Sequence, residues 1–396
     1  MKTKALSWKA VVVALMLAAA AMAFTACAPA ADEAAEEPAE TTEAATEEAA
    51  PEAAAAPEAA APEAAAPEAA AEEEEEPAGP EVVSGTVTTT VDMSGYDEGQ
   101  AVRVWIPVAQ DGDYQTITDA GVEAETADVA EITTDTLGNK MAYIEWGADA
   151  DPASRVATSS FHVERTEALV RDIVEEGEMP EDVQQYLSSD QWVAAEDPEV
   201  KALSDEICEG QDTVVGKARA IYDWIYDNMV RDDNVQKCGD GDVCRLIQTD
   251  ERAGKCTDIN STFVALCRAQ GIPARELFGV RLNDADITGG QHCWAEFYVP
   301  GTGWVPADPA DVLKAVLKND WDKADQEALD KKEYFWGGWD AERVEYAEGR
   351  DLTLEPAQEA GPLNNFGYIY AEVDGEPVDQ CHADTFVFRI AFDEDK

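Results

Sequence analysis

Basic residues are scarce in this sequence. Its 396 residues include 28 lysines and arginines against 84 aspartates and glutamates, which gives a formal net charge of −56 at pH 7. Proteins bind nucleic acids and anionic lipid surfaces through positive charge, so the composition disfavours both as partners. A cationic peptide substrate would suit the negative field, although a solvated surface adapted to salt or low pH explains it more simply.

Metal-binding spacings are also lacking. No C-x2-C or H-x3-H pair occurs in the chain, although such pairs are typical of structural zinc sites. A zinc site would have to combine four scattered residues: Cys238, Cys244, Cys293 and His292. The acidic loop 231–244 offers calcium binding as an alternative, but it lacks the full calcium-loop spacing and the closing glutamate, which favours a solvated turn. We therefore expect no metal and no cofactor.

Long apolar runs are missing except near the N-terminus. Three lysines precede an apolar run over residues 10–24, and small residues then lead to Cys27. This order predicts a signal peptide of the lipoprotein type over 1–27 and not a membrane span. An ordinary signal peptide cut nearby is the alternative, because Phe24 departs from the usual leucine. Both interpretations predict export, and lipidation of Cys27 would anchor the chain to the outer face of a membrane in the cell envelope.

The rest of the chain divides by pattern. Residues 28–80 contain mainly Ala, Glu, Pro and Thr, which offer nothing large to bury and predict a disordered stalk. Short alternating runs separated by turn residues predict a small β-sandwich over 81–165. Helical spacing predominates in 166–330, namely at 168–176, 180–188, 197–208, 214–230 and 312–317. Alternation returns in 331–396, where we expect strands that complete or flank the core sheet.

Residues 254–311 hold the residue types of a thiol acyl-transfer site. Thr257 and Asp258 supply capping groups, and apolar residues at spacings of three and four predict a helix that ends before Gly271. Cys256 therefore lies at the N-terminus of this helix. Unpaired backbone amides and the helix macrodipole stabilise a thiolate there, so we expect a lowered pKa for this thiol.

A hairpin follows the helix. His292 opens a predicted strand over 292–299, and the returning strand ends at Asp308. Antiparallel pairing would bring Asp308 beside His292. The carboxylate could then hold the imidazole in one tautomer while its other nitrogen takes the proton of Cys256.

Four motifs in this order resemble those of the transglutaminase-like (papain-related) superfamily. They are Gly254-Lys255-Cys256, Gly271-Ile272-Pro273-Ala274-Arg275, His292-Cys293-Trp294-Ala295-Glu296 and Gly303-Trp304-Val305-Pro306-Ala307-Asp308-Pro309. The resemblance covers about a hundred residues, from near 214 to 311. It implies an α+β fold in which a helix bearing the cysteine packs on an antiparallel sheet, preceded here by the small β-sandwich. It also implies Cys256 as nucleophile, His292 as base and Asp308 as orienting acid. Two departures are Cys293 directly after the histidine and Ala310 where many members have threonine.

An oxyanion intermediate would need a second donor beside the backbone N–H of Cys256. The sequence does not identify this donor, and the candidates are Trp224, Tyr226 and Gln291.

Six cysteines remain once Cys27 is assigned to lipid and Cys256 to catalysis. They are Cys208, Cys238, Cys244, Cys267, Cys293 and Cys381. In an oxidising compartment they could form up to three disulfides, and Cys238 with Cys244 is the favoured local pair.

Together these features predict a cell-surface enzyme that transfers acyl groups from peptide or side-chain amides through a Cys-His-Asp triad. Hydrolysis is slightly favoured over cross-linking, because nothing in the sequence marks a binding site for an acceptor amine. The partner would be a peptide or protein substrate at the cell envelope, and no oligomeric state is indicated. The alternative is a non-catalytic surface module that binds peptide or glycan on the same fold.

Overall fold

The computed structural model describes residues 79–249, 252–379 and 385–396. The predicted signal peptide with Cys27, the predicted stalk up to residue 78, and Cys381 lie outside the described residues. Within these residues, no helix has both the length and the apolar character needed to cross a bilayer.

Helices and strands alternate in blocks along the chain. The helices are α1 (Pro198–Ile207), α2 (Val214–Asn228), α3 (Val243–Gln248), α4 (Cys256–Ala269), α5 (Pro309–Asn319) and α6 (Gln326–Tyr334). The strands before α1 are β1 (Val82–Asp92), β2 (Val102–Val108), β3 (Gln115–Glu123), β4 (Val129–Thr134), β5 (Lys140–Trp146), β6 (Val156–Thr166) and β7 (Ala168–Leu169). Those after α2 are β8 (Val230–Arg231), β9 (Ala253–Gly254), β10 (Ala274–Arg281), β11 (Gln291–Val299), β12 (Gly303–Ala307), β13 (Gly338–Trp339), β14 (Arg343–Glu348), β15 (Tyr370–Val373), β16 (Glu376–Pro377) and β17 (Val387–Glu394).

Two antiparallel sheets share one apolar core and form the predicted β-sandwich. One sheet has the order β17-β1-β6-β3 and the other β16-β15-β2-β5-β4. The alternation in strand β1 explains this arrangement. Val83, Val87 and Val91 are buried while Thr86, Thr88 and Thr90 are partly exposed, so the period of two directs one face inward. The sandwich core is completed by large side chains such as Trp105 and Trp146.

The C-terminal strands differ from expectation. We predicted that the alternating segments of the tail would complete or flank the core sheet. Strands β15 and β17 instead complete the two sandwich sheets, and only β14 joins the core sheet. Strand β17 pairs with β1 over eight residues and inserts Ile390 and Phe392 into the sandwich core. The pairing with β17 covers an edge of β1 that would otherwise be open.

The core sheet has the order β12-β11-β10-β14, and α4 packs on it. Residues 256–267 of α4 are all buried, and apolar side chains such as Ile259, Phe263 and Leu266 contribute to the second apolar core. The helix ends before Gly271, which has a φ of +74°, as the sequence predicted. Gly279 on β10 is needed where β14 crosses closely, because a Cβ there would collide with the carbonyl oxygen of Val344.

Two predicted helices are not formed. Residues 168–176 contain the short strand β7 and then irregular backbone, and 180–188 contain only a 3-10 helix, Asp182–Leu187. The backbone of this segment bonds to distant chain: Val170 N–H to the carbonyl of Gly337 (2.7 Å) and Glu176 N–H to that of Pro300 (2.8 Å). These long-range bonds replace the local ones that a helix would form. The helices predicted at 197–208, 214–230 and 312–317 correspond to α1, α2 and α5.

Candidate active site

The start of α4 is held by Asp258. Its Oδ1 accepts the backbone N–H of Gly241 at 3.0 Å, and its Oδ2 accepts the N–H of the residue before Cys256 at 3.0 Å. One carboxylate therefore ties the loop before α3 to the N-terminus of α4. The N–H of Cys256 is the first of the helix, a position that has no acceptor within the helix. This amide and the helix macrodipole favour an anion at the Cys256 sulfur.

The hairpin of β11 and β12 positions the histidine and the first acid. The register pairs Ala295 with Ala307, so His292 near the start of β11 lies diagonally across from Asp308. The Nε2 atom of His292 is 3.0 Å from Oδ2 of Asp308. The Nδ2 group of Asn260, on α4, donates to Oδ1 of Asp308 at 3.3 Å. Asp308 is thus fixed from both the hairpin and α4.

The three residues predicted as a triad form one buried cluster. Cys256 is 2% exposed, His292 4% and Asp308 0%. The side chain of His292 interacts with the Cys256 sulfur and lowers the pKa of that thiol, while its Nε2 faces the carboxylate, so the imidazole links the thiol to the acid. This is the order that a nucleophile, a base and an orienting group require.

The pKa of the Cys256 thiol lies well below its ordinary value. Hydrogen bonds from the thiols of Cys238 and Cys293 contribute first, and the hydrogen bond and charge of His292 add to them against the opposing effect of burial. Arg231, whose side chain is 11% exposed, also interacts electrostatically with Cys256. The site therefore favours a thiolate.

The pKa of His292 shifts the other way. Burial alone would lower it, but the negative charges of Asp311 and Asp308 raise the pKa of His292 to about 10. A lowered thiol pKa beside a raised imidazole pKa favours the thiolate and imidazolium forms of the pair.

Two charged residues of the site were missed by the sequence reasoning. Asp311 Oδ1 is 3.4 Å from Nε2 of His292, and Arg343 donates to Asp308 Oδ2 at 2.8 Å and to Asp311 Oδ2 at 3.2 Å. Asp311 could have been found, because it lies three residues after Asp308 in the first turn of α5. No local pattern marks Arg343, which reaches the site from β14.

These acids do not fit a metal site. His292, Asp308 and Asp311 place possible ligand atoms within 4.8 Å of one another. Arg343 already binds both carboxylates, and Arg281 donates to Asp311 Oδ2 at 3.1 Å. A divalent cation would have to replace guanidinium groups that neutralise the same oxygens, so the cluster is an ion-pair network built around the histidine.

The predicted disulfide between Cys238 and Cys244 is not formed. All six cysteines of the described segments are free thiols. Cys238 lies at the site, with its Sγ 3.3 Å from the carbonyl oxygen of Gln291, whereas Cys244 lies on α3 and interacts with Asp197. This separation also removes Cys244 from any zinc site with His292. In loop 231–244, Asp232 and Asp240 accept backbone N–H groups in turns, Asp233 forms ion pairs and Asp242 caps α3, so calcium binding gains no support there.

Two of the three candidate oxyanion donors lie elsewhere. The hydroxyl of Tyr226 donates to the carbonyl of Lys323 at 2.6 Å, and Trp224 packs against Arg252, whose guanidinium carbon is 5.3 Å from its ring centroid. Both lie on α2 and do not line the cleft at Cys256. Gln291 lines that cleft, with its side-chain N–H bonded to the carbonyl of Thr288 at 3.0 Å. Tyr368, absent from the predictions, also lines it.

Cys256 and His292 open into a cleft of about 570 Å³. Its walls come from the loop before α3, the start of α4, the segment 283–290 and α5. The thiolate, the imidazolium and the helix N-terminus all reach this one space. Such an arrangement can form and break an acyl bond at sulfur.

Comparison with known proteins gives one family. A family model described as the transglutaminase-like superfamily matches residues 201–309. An uncharacterized protein of Haemophilus influenzae is 35% identical over 316 residues, which cover 74% of this chain and 85% of that protein. The uncharacterized protein YebA of Bacillus subtilis is 27% identical over 144 residues, or 32% of this chain and 20% of YebA.

Solved structures are similar at lower identity. The crystal structure of a candidate cysteine protease from Cytophaga hutchinsonii has 19% identity and a TM-score of 0.46, and the match covers 79% of this chain and 98% of that one. The periplasmic domain of TgpA from Pseudomonas aeruginosa has 15% identity and a TM-score of 0.33, with 60% and 94% covered.

Proposed function

The chain belongs to the transglutaminase-like superfamily, and we propose that it is a cysteine-dependent enzyme that cleaves peptide or side-chain amides by acyl transfer. Cys256 is the nucleophile, His292 the acid and base, and Asp308 the orienting acid. The observation that carries this proposal is the imidazole of His292, which lies 3.0 Å from Asp308, lines the same cleft as Cys256 and lowers the pKa of that thiol. A binding module alone has no physical need for this set.

In the first half-reaction the Cys256 thiolate attacks the amide carbonyl carbon, and the carbonyl oxygen becomes an oxyanion. The backbone N–H of Cys256 and the helix N-terminus stabilise that charge, with the amide of Gln291 as a second donor after it leaves Thr288. The imidazolium of His292 then donates its proton to the departing amine. The carbon–nitrogen bond breaks and a thioester remains on Cys256.

In the second half-reaction an acceptor attacks the thioester. His292, now neutral, takes a proton from the acceptor, and the thiolate leaves as the new acyl bond forms. We favour water as the acceptor, because the cleft is open to solvent and water is abundant there. Hydrolysis releases a carboxylic acid, whereas an amine acceptor would give a cross-link by the same steps.

We also propose that the protein is exported and tethered to the outer face of a membrane by lipid on Cys27. The segment 28–80 then acts as a spacer between the membrane and the catalytic part, because Ala, Glu and Pro in this order resist collapse. Radiolabelled palmitate supplied to expressing cells should label the wild-type chain and not Cys27→Ser.

A peptide library derived from a digested proteome tests the reaction. The full chain and Cys256→Ala are each incubated with the library and a dansylated amine, and products are read by mass spectrometry. New carboxyl ends made only by the wild type indicate hydrolysis, and dansylated peptides indicate transfer to an amine. Identical spectra from the two proteins would contradict catalysis and favour the alternative of a non-catalytic module that binds peptide or glycan.

A further inference from the structure

The cleft differs in charge from the rest of the chain. Acidic residues outnumber basic ones threefold overall, 84 against 28. The lining of the cleft reverses this balance, because five cationic side chains face two carboxylates there. The cations are Arg231, Lys237, Lys255, Arg281 and Lys314, and the carboxylates are Asp284 and Asp286.

Not all of these cations are available to a ligand. Arg281 lies between three acids and contacts Asp311 at 3.1 Å, so its charge is used within the protein. Lys314 is shared with Asp311, 3.5 Å away. For Lys237 and Lys255 no carboxylate oxygen lies within ion-pair distance in the described part of the chain. Neither lysine is held in an ion pair there, so both ammonium groups are available to a ligand in the cleft.

Their positions place that charge beside the nucleophile. Lys255 directly precedes Cys256 and is partly exposed. Lys237 belongs to the loop that crosses the start of α4, has a left-handed backbone with φ +53°, and holds its Nζ 5.9 Å from the ring centroid of Tyr368. The cation–π contact and the constrained backbone direct Lys237 to the cleft wall that Tyr368 forms.

The two carboxylates come from another part of the lining, the segment 283–290. Asp286 pairs with Arg389 at 3.1 Å and accepts the Thr288 hydroxyl at 2.6 Å. Asp284 accepts the N–H of its own neighbour, Ala285, at 2.7 Å. Lys237 and Lys255 thus come from segments next to the sulfur, whereas both acids come from the segment 283–290, where Asp286 is already paired with a cation.

We propose that the cleft recognises a carboxylate of the substrate next to the scissile amide, with Lys237 and Lys255 as its partners and Lys314 adding positive charge. The substrate class is a peptide with an acidic side chain or a free carboxylate beside the bond that is cleaved. A lysine ammonium pairs with a carboxylate as a point charge and attracts it over a distance, so it sets both encounter and orientation. This specificity is opposite to the cationic substrate that the overall charge suggests, and it rests on the proposed function.

Two alkylating reagents of nearly equal size test the charge preference without a known substrate. Iodoacetate carries a carboxylate next to its reacting carbon, and iodoacetamide carries a neutral amide. Second-order rate constants for alkylation of Cys256 in the full chain are measured for both reagents by mass spectrometry. The rate constant for iodoacetate is divided by that for iodoacetamide, and this ratio is divided by the same ratio for glutathione. A change in the thiolate fraction of Cys256 alters both rates equally, so the normalised ratio reports only on the carboxylate.

We expect a normalised ratio above one that falls in 0.5 M salt, because exposed charges are screened. Lys237→Gln and Lys255→Gln should each lower it by up to about fivefold, while Lys140→Gln in the sandwich should not change it. A ratio at or below one that the cleft variants do not alter would overturn the carboxylate site, yet fast iodoacetamide labelling in the same experiment would leave the catalytic proposal intact. If Cys256 reacts slowly with both reagents, both proposals are wrong.

Discussion

Arg343 Nη1 lies 2.8 Å from Oδ2 of Asp308, the oxygen that also lies 3.0 Å from Nε2 of His292. One buried carboxylate oxygen therefore serves a histidine and an arginine at once. The guanidinium of Arg343, which is 0% exposed, also contacts Asp311 and Asp340. The orienting acid is held by a residue from β14, far along the chain from the motifs that mark the site.

Replacing Arg343 should lower the unfolding free energy of the protein. Arg343→Met leaves the buried Asp308 and Asp311 and the partly buried Asp340 with one fewer cation, and breaking a buried ion pair in this way costs about 3–5 kcal/mol of unfolding free energy. Urea unfolding measures the loss. Arg389→Met is the matched control, because the pair of Arg389 with Asp286 is largely exposed and its loss should change little. Equal stability of the two variants would contradict the network.

The pH dependence of stability should depend on Cys256. The pKa of His292 is raised from 6.5 to about 10 on folding, so its stabilisation is complete below pH 6.5 and is lost as pH rises towards 10. The pKa of Cys256 is lowered from 9.0, so its stabilisation is complete above pH 9 and is lost as pH falls. Between these two values the unfolded chain holds a thiol proton and the folded chain an imidazole proton, so the pair contributes no slope.

Cys256→Ala removes the effect of the thiol on the pH dependence of stability and leaves that of His292. The variant should lose stability relative to the wild type as pH rises from 6.5 to 9, by an amount on the order of 1–3 kcal/mol. The reason is that the raised pKa of His292 still makes stability fall with pH, while the opposing effect of the Cys256 thiol is gone. Urea unfolding of both proteins across this range measures the difference. A constant difference between them would mean that the thiolate–imidazolium pair is not formed.

Cys238 should tune the nucleophile. Its hydrogen bond is the first contribution to the lowered pKa of Cys256, so Cys238→Ala should raise the pH at which Cys256 becomes reactive. Cys238→Ser keeps a donor and should restore most of the effect. Cys267→Ala is the control, because Cys267 lies on α4 with Cys256 but does not line the cleft. An unchanged pH midpoint in Cys238→Ala would contradict this role.

Gly239 should tolerate no side chain. A Cβ at this position would collide with the carboxylate of Asp258, and its φ of +88° disfavours other residues as well. Gly99 has a φ of +91° but open space around it, so Gly99→Ala shows the cost of backbone strain alone, about 1 kcal/mol. Gly239→Ala should cost more in urea unfolding and slow the alkylation of Cys256. Similar losses of stability in both variants would show that the loop accommodates the side chain without displacing Asp258, and would contradict the prediction.

The sequence located the three central residues because each is marked by local pattern. A helix start identifies Cys256, and a hairpin with a short turn brings His292 and Asp308 together within 16 residues. Such geometry follows from periodicity and turn residues. The transglutaminase-like core was recognised on the same motifs and is confirmed by the family match.

Several of the errors have the same cause, which is pairing between residues far apart in the sequence. Arg343 is 35 residues from Asp308, and β17 is roughly 300 residues from its partner β1. Tyr226 was proposed as an oxyanion donor, but its hydroxyl bonds to a carbonyl 97 residues away. Local composition does not encode which distant strand or carbonyl a residue will meet.

The most direct test of the catalytic account is the rate at which iodoacetamide alkylates Cys256 in the full, unreduced chain between about pH 5 and pH 9, compared with His292→Ala. A thiolate held by an imidazolium predicts fast labelling that persists at pH 5 in the wild type and slows there in the variant. Labelling that follows the titration of an ordinary thiol in both proteins, or that requires prior reduction, would contradict the account.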